Sequence, residues 1–234
     1  MSAVLERPRE LLEVSGRNVT FNPHEDQLLL WESDARYLGL IAGTGGGKTS
    51  FGVPWLMRDV LAAGPDGRGL ATSPTYQMLN RSLLPYMQWL WVRSLKIAEF
   101  HKADMYFEFR DGQQVRLATA DNPNSMEGQH VHAVLLDEGG LMQRLAWEVA
   151  QRRVGFHEGR VLVTSTPYFL NWLQEMVRRY KAGDPLYYVR QFASIKNPSY
   201  PRAEFERARR ELSHAEFAMK YLGQFERPAG LIYP

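Results

Sequence analysis

Two rhythms of apolar and polar positions run along this chain. Short, nearly unbroken apolar runs read as buried strands: "YLGLIA" (Tyr37 to Ala42), "GLATSP" (Gly69 to Pro74), "HAVLLDE" (His132 to Glu138), "RVLVTSTP" (Arg160 to Pro167) and "LYYVRQF" (Leu186 to Phe192). Between them, apolar residues recur at helical spacing over Thr49 to Ala63, Tyr76 to Val92, Leu141 to Arg153 and Leu170 to Lys181. Pro85 is expected to kink or break the second of these helices. Two more helices are expected over Pro201 to Leu212, opened by its proline, and His214 to Leu222. "MYFEF" and "QVRLAT" alternate with period two around "RDGQQ", which predicts a β-hairpin with Asp111 and Gly112 in its turn. The aromatic-rich "YMQWLWV" has helical spacing and reads as core.

Strands separated by helices imply right-handed βαβ units and a mainly parallel sheet flanked by helices. The expected organisation is an α/β core over residues 1–195 and a small helical subdomain over 196–234. No internal repeat or low-complexity tract interrupts it. At 234 residues the chain is long enough to bury a substantial core, and 44% hydrophobic and 23% charged residues suit a globular protein. No stretch approaches the ~20 consecutive apolar residues of a membrane span, so no membrane partner is expected. "MSAVLERPRELLEVSGR" carries charges too early for a secretory signal. Without cysteine, neither disulfides nor a thiolate zinc site can form. The net charge of +2 does not announce a nucleic-acid partner. Its distribution is uneven, because Arg144, Arg152, Arg153, Arg160, Arg178, Arg179 and Lys181 cluster in sequence. They form either a phosphate-binding face or a solvated surface.

The first residues that signal a binding function are "IAGTGGGKTSFG" (Ile41 to Gly52). Gly47, Lys48 and Thr49 end a pattern close to G-x-x-x-x-G-K-[ST], with Ala42 in place of its first glycine. Successive backbone N–H groups of Gly43, Thr44, Gly45, Gly46 and Gly47 can curl around a phosphate, where side chains would crowd it. The helix that follows aims its N-terminal dipole at the same anion. Lys48 is then the β- and γ-phosphate ligand, and the Thr49 hydroxyl a Mg²⁺ ligand. "AVLLDE" ends a buried strand in Asp137, a second Mg²⁺ ligand, and Glu138, which can polarise water for attack on the γ-phosphate. That acid pair favours hydrolysis over transfer to a metabolite. Thr164, Ser165 and Thr166 stand at a neighbouring strand tip, where a hydroxyl can sense the γ-phosphate and report to the next helix.

These segments resemble the ATPase domain of the large terminase subunit of tailed bacteriophages. "IAGTGGGKT" is similar to that family's Walker A, "HAVLLDE" to its Walker B with catalytic glutamate, and "TSTPYFLNW" to its coupling motif. "SMEGQHVHAVLLDE" resembles the approach to Walker B, and "IKNPSYPRAEFERARRELSHAEFAMKYLGQFE" the segment that closes the domain. The resemblance implies a RecA-like, ASCE-type P-loop NTPase using ATP and Mg²⁺ to translocate double-stranded DNA into a procapsid. It implies a ring of subunits on the portal, a small terminase subunit as partner, and work in the host cytoplasm at the procapsid. "FNPHEDQLLLW" resembles the adenine-contacting segment, with Gln27 offering both an amide donor and a carbonyl acceptor to the base.

Two departures stand out. Many terminases carry an arginine inside Walker A, and here there is none. Arg144 is the first candidate for a finger reaching a neighbouring subunit's site, with Arg152 and Arg153 in reserve. The family's RNase H-like nuclease would begin about where this chain ends, at "AGLIYP", so no DNA cleavage is expected of it. A helicase-like DNA-dependent ATPase is the alternative activity, and a nucleotide sensor without turnover a further one. His130 and His132 lack companion ligands in sequence and read as structural. "SPTYQM" (Ser73 to Met78) is a candidate DNA-facing loop.

Overall fold

A computed structural model describes residues 11–15, 18–168 and 171–226. Its centre is an eight-stranded sheet in the order β10-β3-β9-β8-β4-β7-β6-β5. Five strands carry the apolar runs: β3 (Tyr37–Ala42), β4 (Arg68–Ser73), β8 (Ala133–Asp137), β9 (Arg160–Ser165) and β10 (Tyr187–Phe192). With β7 (Gln114–Thr119) they pair in parallel throughout. Strand β6 (Tyr106–Phe109) returns from β7 as the expected hairpin, and β5 (Ala98–His101) adds an antiparallel edge that the sequence pattern did not reveal. A separate hairpin of β1 (Leu12–Ser15) and β2 (Asn18–Phe21) also escaped the sequence reading.

Both sheet faces are covered, which explains why the central strands are apolar without alternation. Leu38, Leu40, Leu135 and Leu162 point to one side, into the core under α2 (Lys48–Ala62). Ile41, Val134, Leu136, Val161 and Val163 point to the other, under α5 (Arg144–Gly155) and α6 (Leu173–Lys181). The expected start of α6 at Leu170 lies outside the described residues. Helix α1 (Glu25–Glu32) leads into β3, and α7 (Arg202–Glu211) and α8 (His214–Leu222) pack on each other at the carboxyl end of the chain.

Pro85 does not break the helix it sits in. The run over 76–94 is α-helical at α3 (Tyr76–Met78) and α4 (Leu84–Met87), and π-helical over Leu79–Leu83 and Gln88–Ser94. The Leu84 N–H reaches Leu79 O, so the ladder widens around the residue that cannot donate. Pro54 in α2 has a different consequence. It cannot donate to the Ser50 carbonyl, and the Tyr86 hydroxyl donates there instead at 3.4 Å.

Trp91 joins the helical run to the antiparallel meander. It is fully buried, with ring centroids 5.0 Å from Phe107 and 5.1 Å from Phe109. Trp91→Ala is expected to cost about 3–5 kcal/mol through the cavity it leaves, read as a lower urea midpoint; a change below about 1 kcal/mol would show that the meander repacks without it.

Candidate nucleotide site

Register positions the polar strand ends. Ile41 pairs with Ser165 across β3 and β9, and Asp137 with Thr164 across β8 and β9. The glycine loop, the hydroxyl tip and the acid pair therefore leave the sheet side by side at its carboxyl edge, where open α/β sheets bind ligands. Strand β9 stands between the loop strand and the acid strand.

The loop is built from glycine for two reasons. Gly47 sits at φ 79°, ψ 23°, a left-handed conformation that caps α2. Gly43 is hemmed in: an added Cβ would lie 2.5 Å from the Tyr221 carbonyl oxygen and 2.3 Å from Ser194 Oγ. The Gly43 N–H donates to Phe192 O (3.2 Å), the Thr44 N–H to Lys220 O (2.7 Å) and the Gly46 N–H to Gly43 O (3.0 Å). Asn197 Nδ2 donates to Gly45 O at 2.7 Å. Helix α8 and the 3₁₀ turn Ser194–Lys196 with its neighbours thus hold the shoulder of the loop. They leave the N–H groups from Gly45 and from Gly47 to Thr49 outside these backbone contacts.

Lys48 is buried, 7% exposed, and its Nζ lies at the centre of the site. It donates to Thr166 Oγ1 at 2.9 Å and to the Gly43 carbonyl at 3.3 Å, and stands 3.5 Å from Glu138 Oε1. Asp137 accepts from Thr164 Oγ1 at 2.7 Å and from Thr49 Oγ1 at 3.2 Å. Glu138 leaves the strand at φ 55°, ψ 43°. A non-glycine residue held there stores about 1 kcal/mol or more. Its Oε2 accepts the Thr166 N–H at 3.3 Å. Tyr168 beside it has its hydroxyl pushed up to about 12, by burial first and then by the charge and hydrogen bond of Glu138.

The expected coupling residues are tied to the acid strand. Ser165 Oγ accepts the Gly140 N–H at 3.0 Å, Asn171 Nδ2 donates to Gly140 O at 2.9 Å, and Trp172 Nε1 donates to Met142 O at 2.9 Å. The end of β9 and the start of α6 therefore grip the turn that follows Glu138. Phe169 and Leu170, inside the quoted coupling motif, lie outside the described residues.

Two adjoining cavities share Gly47, Ser50 and Asn197. The larger, about 510 Å³, holds Lys48, Thr49, Asp137, Glu138 and Thr166. Ser73, Pro74 and Met78 of the "SPTYQM" segment line it too, while Tyr76 between them is exposed. The smaller, about 300 Å³, is lined by Gln27, Tyr86 and Trp89. Gln27 is buried, and its Oε1 accepts the His24 N–H at 3.2 Å. One lone pair of its acceptor is thus spent on the cap of α1, which narrows the two-sided base reading expected of it. Its Nε2 lies 3.1 Å from where a Cβ on Gly47 would be, so the donor end faces the loop.

Arg144 is absent from both linings. It is 58% exposed, with Nε 3.1 Å from Glu148 and NH1 2.9 Å from Glu175. Arg152 and Arg153 both pair with Glu127. His132 Nδ1 accepts the Arg68 N–H and its ring stacks on His157 at 3.9 Å, a structural role. Among the described residues no group of three or more His, Asp or Glu can hold a metal by itself. Thr49 and Asp137 nonetheless fit Mg²⁺, which takes one or two protein oxygens and completes its shell with phosphate and water.

The fold is RecA-like, a mainly parallel sheet flanked by helices. No protein-family model and no curated protein sequence matches the chain. Among solved structures, it has the fold of large terminase ATPase domains. The Thermus phage P74-26 large terminase ATPase domain is similar at a TM-score of 0.71 and 20% identity, over 88% of this chain and 95% of that one. The large terminase of a thermophilic bacteriophage in complex with ATP-gamma-S gives 0.71 at 18% identity, over 86% and 52%. The HK97 bacteriophage large terminase gives 0.70 at 15%, over 88% and 51%. The chain spans about half the length of these last two. No helix among the described residues is long and apolar enough to cross a membrane.

Burial raises the Asp137 carboxyl to about 6, and the neighbouring Glu138 charge adds to this against the hydroxyls of Thr164 and Thr49 and the Lys48 charge. Between about pH 4 and pH 6 the folded chain therefore keeps a proton that the unfolded chain, with an ordinary Asp near 3.9, has released. Stability contributed by this group falls as pH rises through that window. Asp137→Asn in chelator is expected to be more stable than wild type at pH 7–8, with the gain fading towards pH 4. Parallel unfolding curves across pH 4–8 would contradict this.

Proposed function

We propose that this chain is the ATP-hydrolysing motor domain of a large terminase subunit, and that it drives double-stranded DNA into a procapsid. The observation that carries the reading is the placement of Lys48, Thr49, Asp137, Glu138 and Thr166 around one cavity at the carboxyl edge of the sheet. The likeness to terminase ATPase domains, one solved with ADP and with ATP-gamma-S, supports ATP as the nucleotide.

In this reading Lys48 binds the β- and γ-phosphates, and the N–H groups at the start of α2 bind the same charge. Thr49 and Asp137 are the residues that would hold Mg²⁺, whose charge neutralises the phosphate oxygens when it is bound. In the present structure Lys48 faces Glu138. Phosphate competes for that ammonium, leaving Glu138 to take a proton from water as the water oxygen attacks the γ-phosphorus and the bond to ADP breaks. Thr166 touches Lys48, and its strand holds the turn after Glu138, so loss of the γ-phosphate is transmitted to α6 through Ser165 and Asn171. The phosphate cavity offers a single cation, Lys48, among its described lining residues, against two carboxylates. A neighbouring subunit in a ring on the portal supplies the missing charge, with Arg144 as its donor after release from Glu148 and Glu175. Double-stranded DNA, the procapsid and a small terminase subunit are the partners in the host cytoplasm, and no nuclease activity is assigned to residues 1–234.

Glu138→Gln is expected to lower turnover about 10²–10⁴-fold while leaving ATP affinity near wild type; retained hydrolysis in that variant excludes Glu138 as the base. Arg144→Ala is expected to lose about 10³-fold in the assembled state. Mixing it with Glu138→Gln subunits should restore part of the rate, because each supplies what the other lacks. If Arg144→Ala hydrolyses ATP as wild type does at every protein concentration, Arg144 has no part in the chemistry.

A further inference from the structure

We infer that Trp89 and Tyr86 form the stacking wall for the nucleotide base, in the cavity beside Gln27. The inference rests on the proposed nucleotide site and adds to it a base subsite whose wall comes from the helical run over 76–94, outside the segments that signal ATP binding in sequence.

Three observations converge on this wall. First, the 300 Å³ cavity adjoins the phosphate cavity through Gly47, Ser50 and Asn197, so a ligand with phosphates in one can extend into the other. Second, Trp89 and Tyr86 line that cavity as half-buried rings with centroids 5.3 Å apart and planes tilted by 38°. Within "YMQWLWV" the remaining aromatic, Trp91, is fully buried, so this stretch turns one ring into the core and two towards the site. Third, Tyr86 is fastened to the phosphate helix itself. Its hydroxyl donates to Ser50 O, the carbonyl that Pro54 leaves without its helical partner. The proline thus creates an acceptor at the mouth of the site, and the tyrosine that fills it carries the aromatic wall.

A planar heterocycle in this cavity meets a broad π-face on one side and the amide of Gln27 at the phosphate end. Stacking tolerates any base, and the indole favours the larger ring system of a purine. Gln27 then reads the edge mainly through its N–H₂ group, since its oxygen caps α1.

Binding of ADP and of inorganic pyrophosphate to the intact chain, by calorimetry and by intrinsic tryptophan fluorescence, separates base from phosphate recognition. Trp89→Ala is expected to weaken ADP about tenfold or more and to leave pyrophosphate unchanged. Trp89→Phe should keep ADP affinity within a few-fold while losing most of the ADP-induced fluorescence change. Lys48→Ala should weaken both ligands. The inference is overturned if Trp89→Ala binds ADP as tightly as wild type, or if the ADP-induced change survives undiminished in Trp89→Phe. Should the Ala variant fail to fold, the Phe variant decides alone. If wild type binds neither ADP nor pyrophosphate, the nucleotide site itself is refuted and the wall falls with it; ADP binding that ignores Trp89 refutes only the wall.

Discussion

One buried ammonium organises the carboxyl edge of this sheet. Lys48 Nζ touches the strand end of β9 through Thr166, the loop through the Gly43 carbonyl, and the acid strand through Glu138. Three strands that are neighbours only by tertiary pairing are joined by one cation. The arrangement depends on parallel register, since a slip of one residue in β8 or β9 would turn Asp137 or Thr164 to the opposite face. Burying a charge this deeply is tolerated because the hydroxyl, carbonyls and carboxylate replace its hydration. The same contacts mean that any anion entering the loop has to compete with Glu138 for its counter-ion. Anion entry at the loop and the position of the Glu138 carboxylate are therefore linked by Coulomb's law before any larger movement is invoked.

The glycine loop, the five apolar strands and the acid pair were legible in the sequence because each is written locally. Consecutive glycines permit few uses, and an unbroken apolar run ending in Asp-Glu has one side of the sheet to leave from. The Pro54 to Tyr86 link was not legible. It depends on a carbonyl losing its partner inside one helix and a hydroxyl arriving from another, 36 residues away in sequence. "YMQWLWV" reads as core by its spacing, and Met87, Leu90 and Trp91 are core. Spacing alone does not say that the opposite side of that helix borders a cavity. Strand β5 escaped for a different reason: four residues, "AEFH", pair only with β6 at the sheet's edge, and no long apolar run marks them.

Strain and packing sharpen the acid turn. Glu138 adopts a left-handed conformation that glycine would adopt more easily, yet Gly139 and Gly140 follow it instead. Their lack of side chains has a packing reason. An added Cβ on Gly139 would lie 2.5 Å from Val163, and one on Gly140 2.6 Å from Ser165 Oγ. The turn is pressed against β9, and the carboxylate is aimed back at Lys48 and the Thr166 N–H. A strained backbone persists where its surroundings over-determine it, and here Ser165, Asn171 and Trp172 supply those surroundings. The residues that hold the acid in position are thus the ones that connect it to α6.

The charge balance of the site bears on the proposed ring independently of shape. Burial and the Glu138 charge raise the Asp137 carboxyl to about 6, and among the described lining residues one lysine faces both acids. A triphosphate adds several more negative charges to a cavity of that sign balance. Metal ions offset part of this charge, and phosphoryl transfer in related chemistry is accelerated further by an arginine supplied from outside the nucleotide pocket. The exposed Arg144 pairs with Glu148 and Glu175, and the exposed Arg152 and half-buried Arg153 share Glu127. Exposed pairs such as those of Arg144 are worth about 0–1 kcal/mol, so they break at little cost. A site that is short of positive charge, on a domain that carries a loosely held Arg144 at its surface, is what the proposed arginine supplied by a neighbouring copy requires.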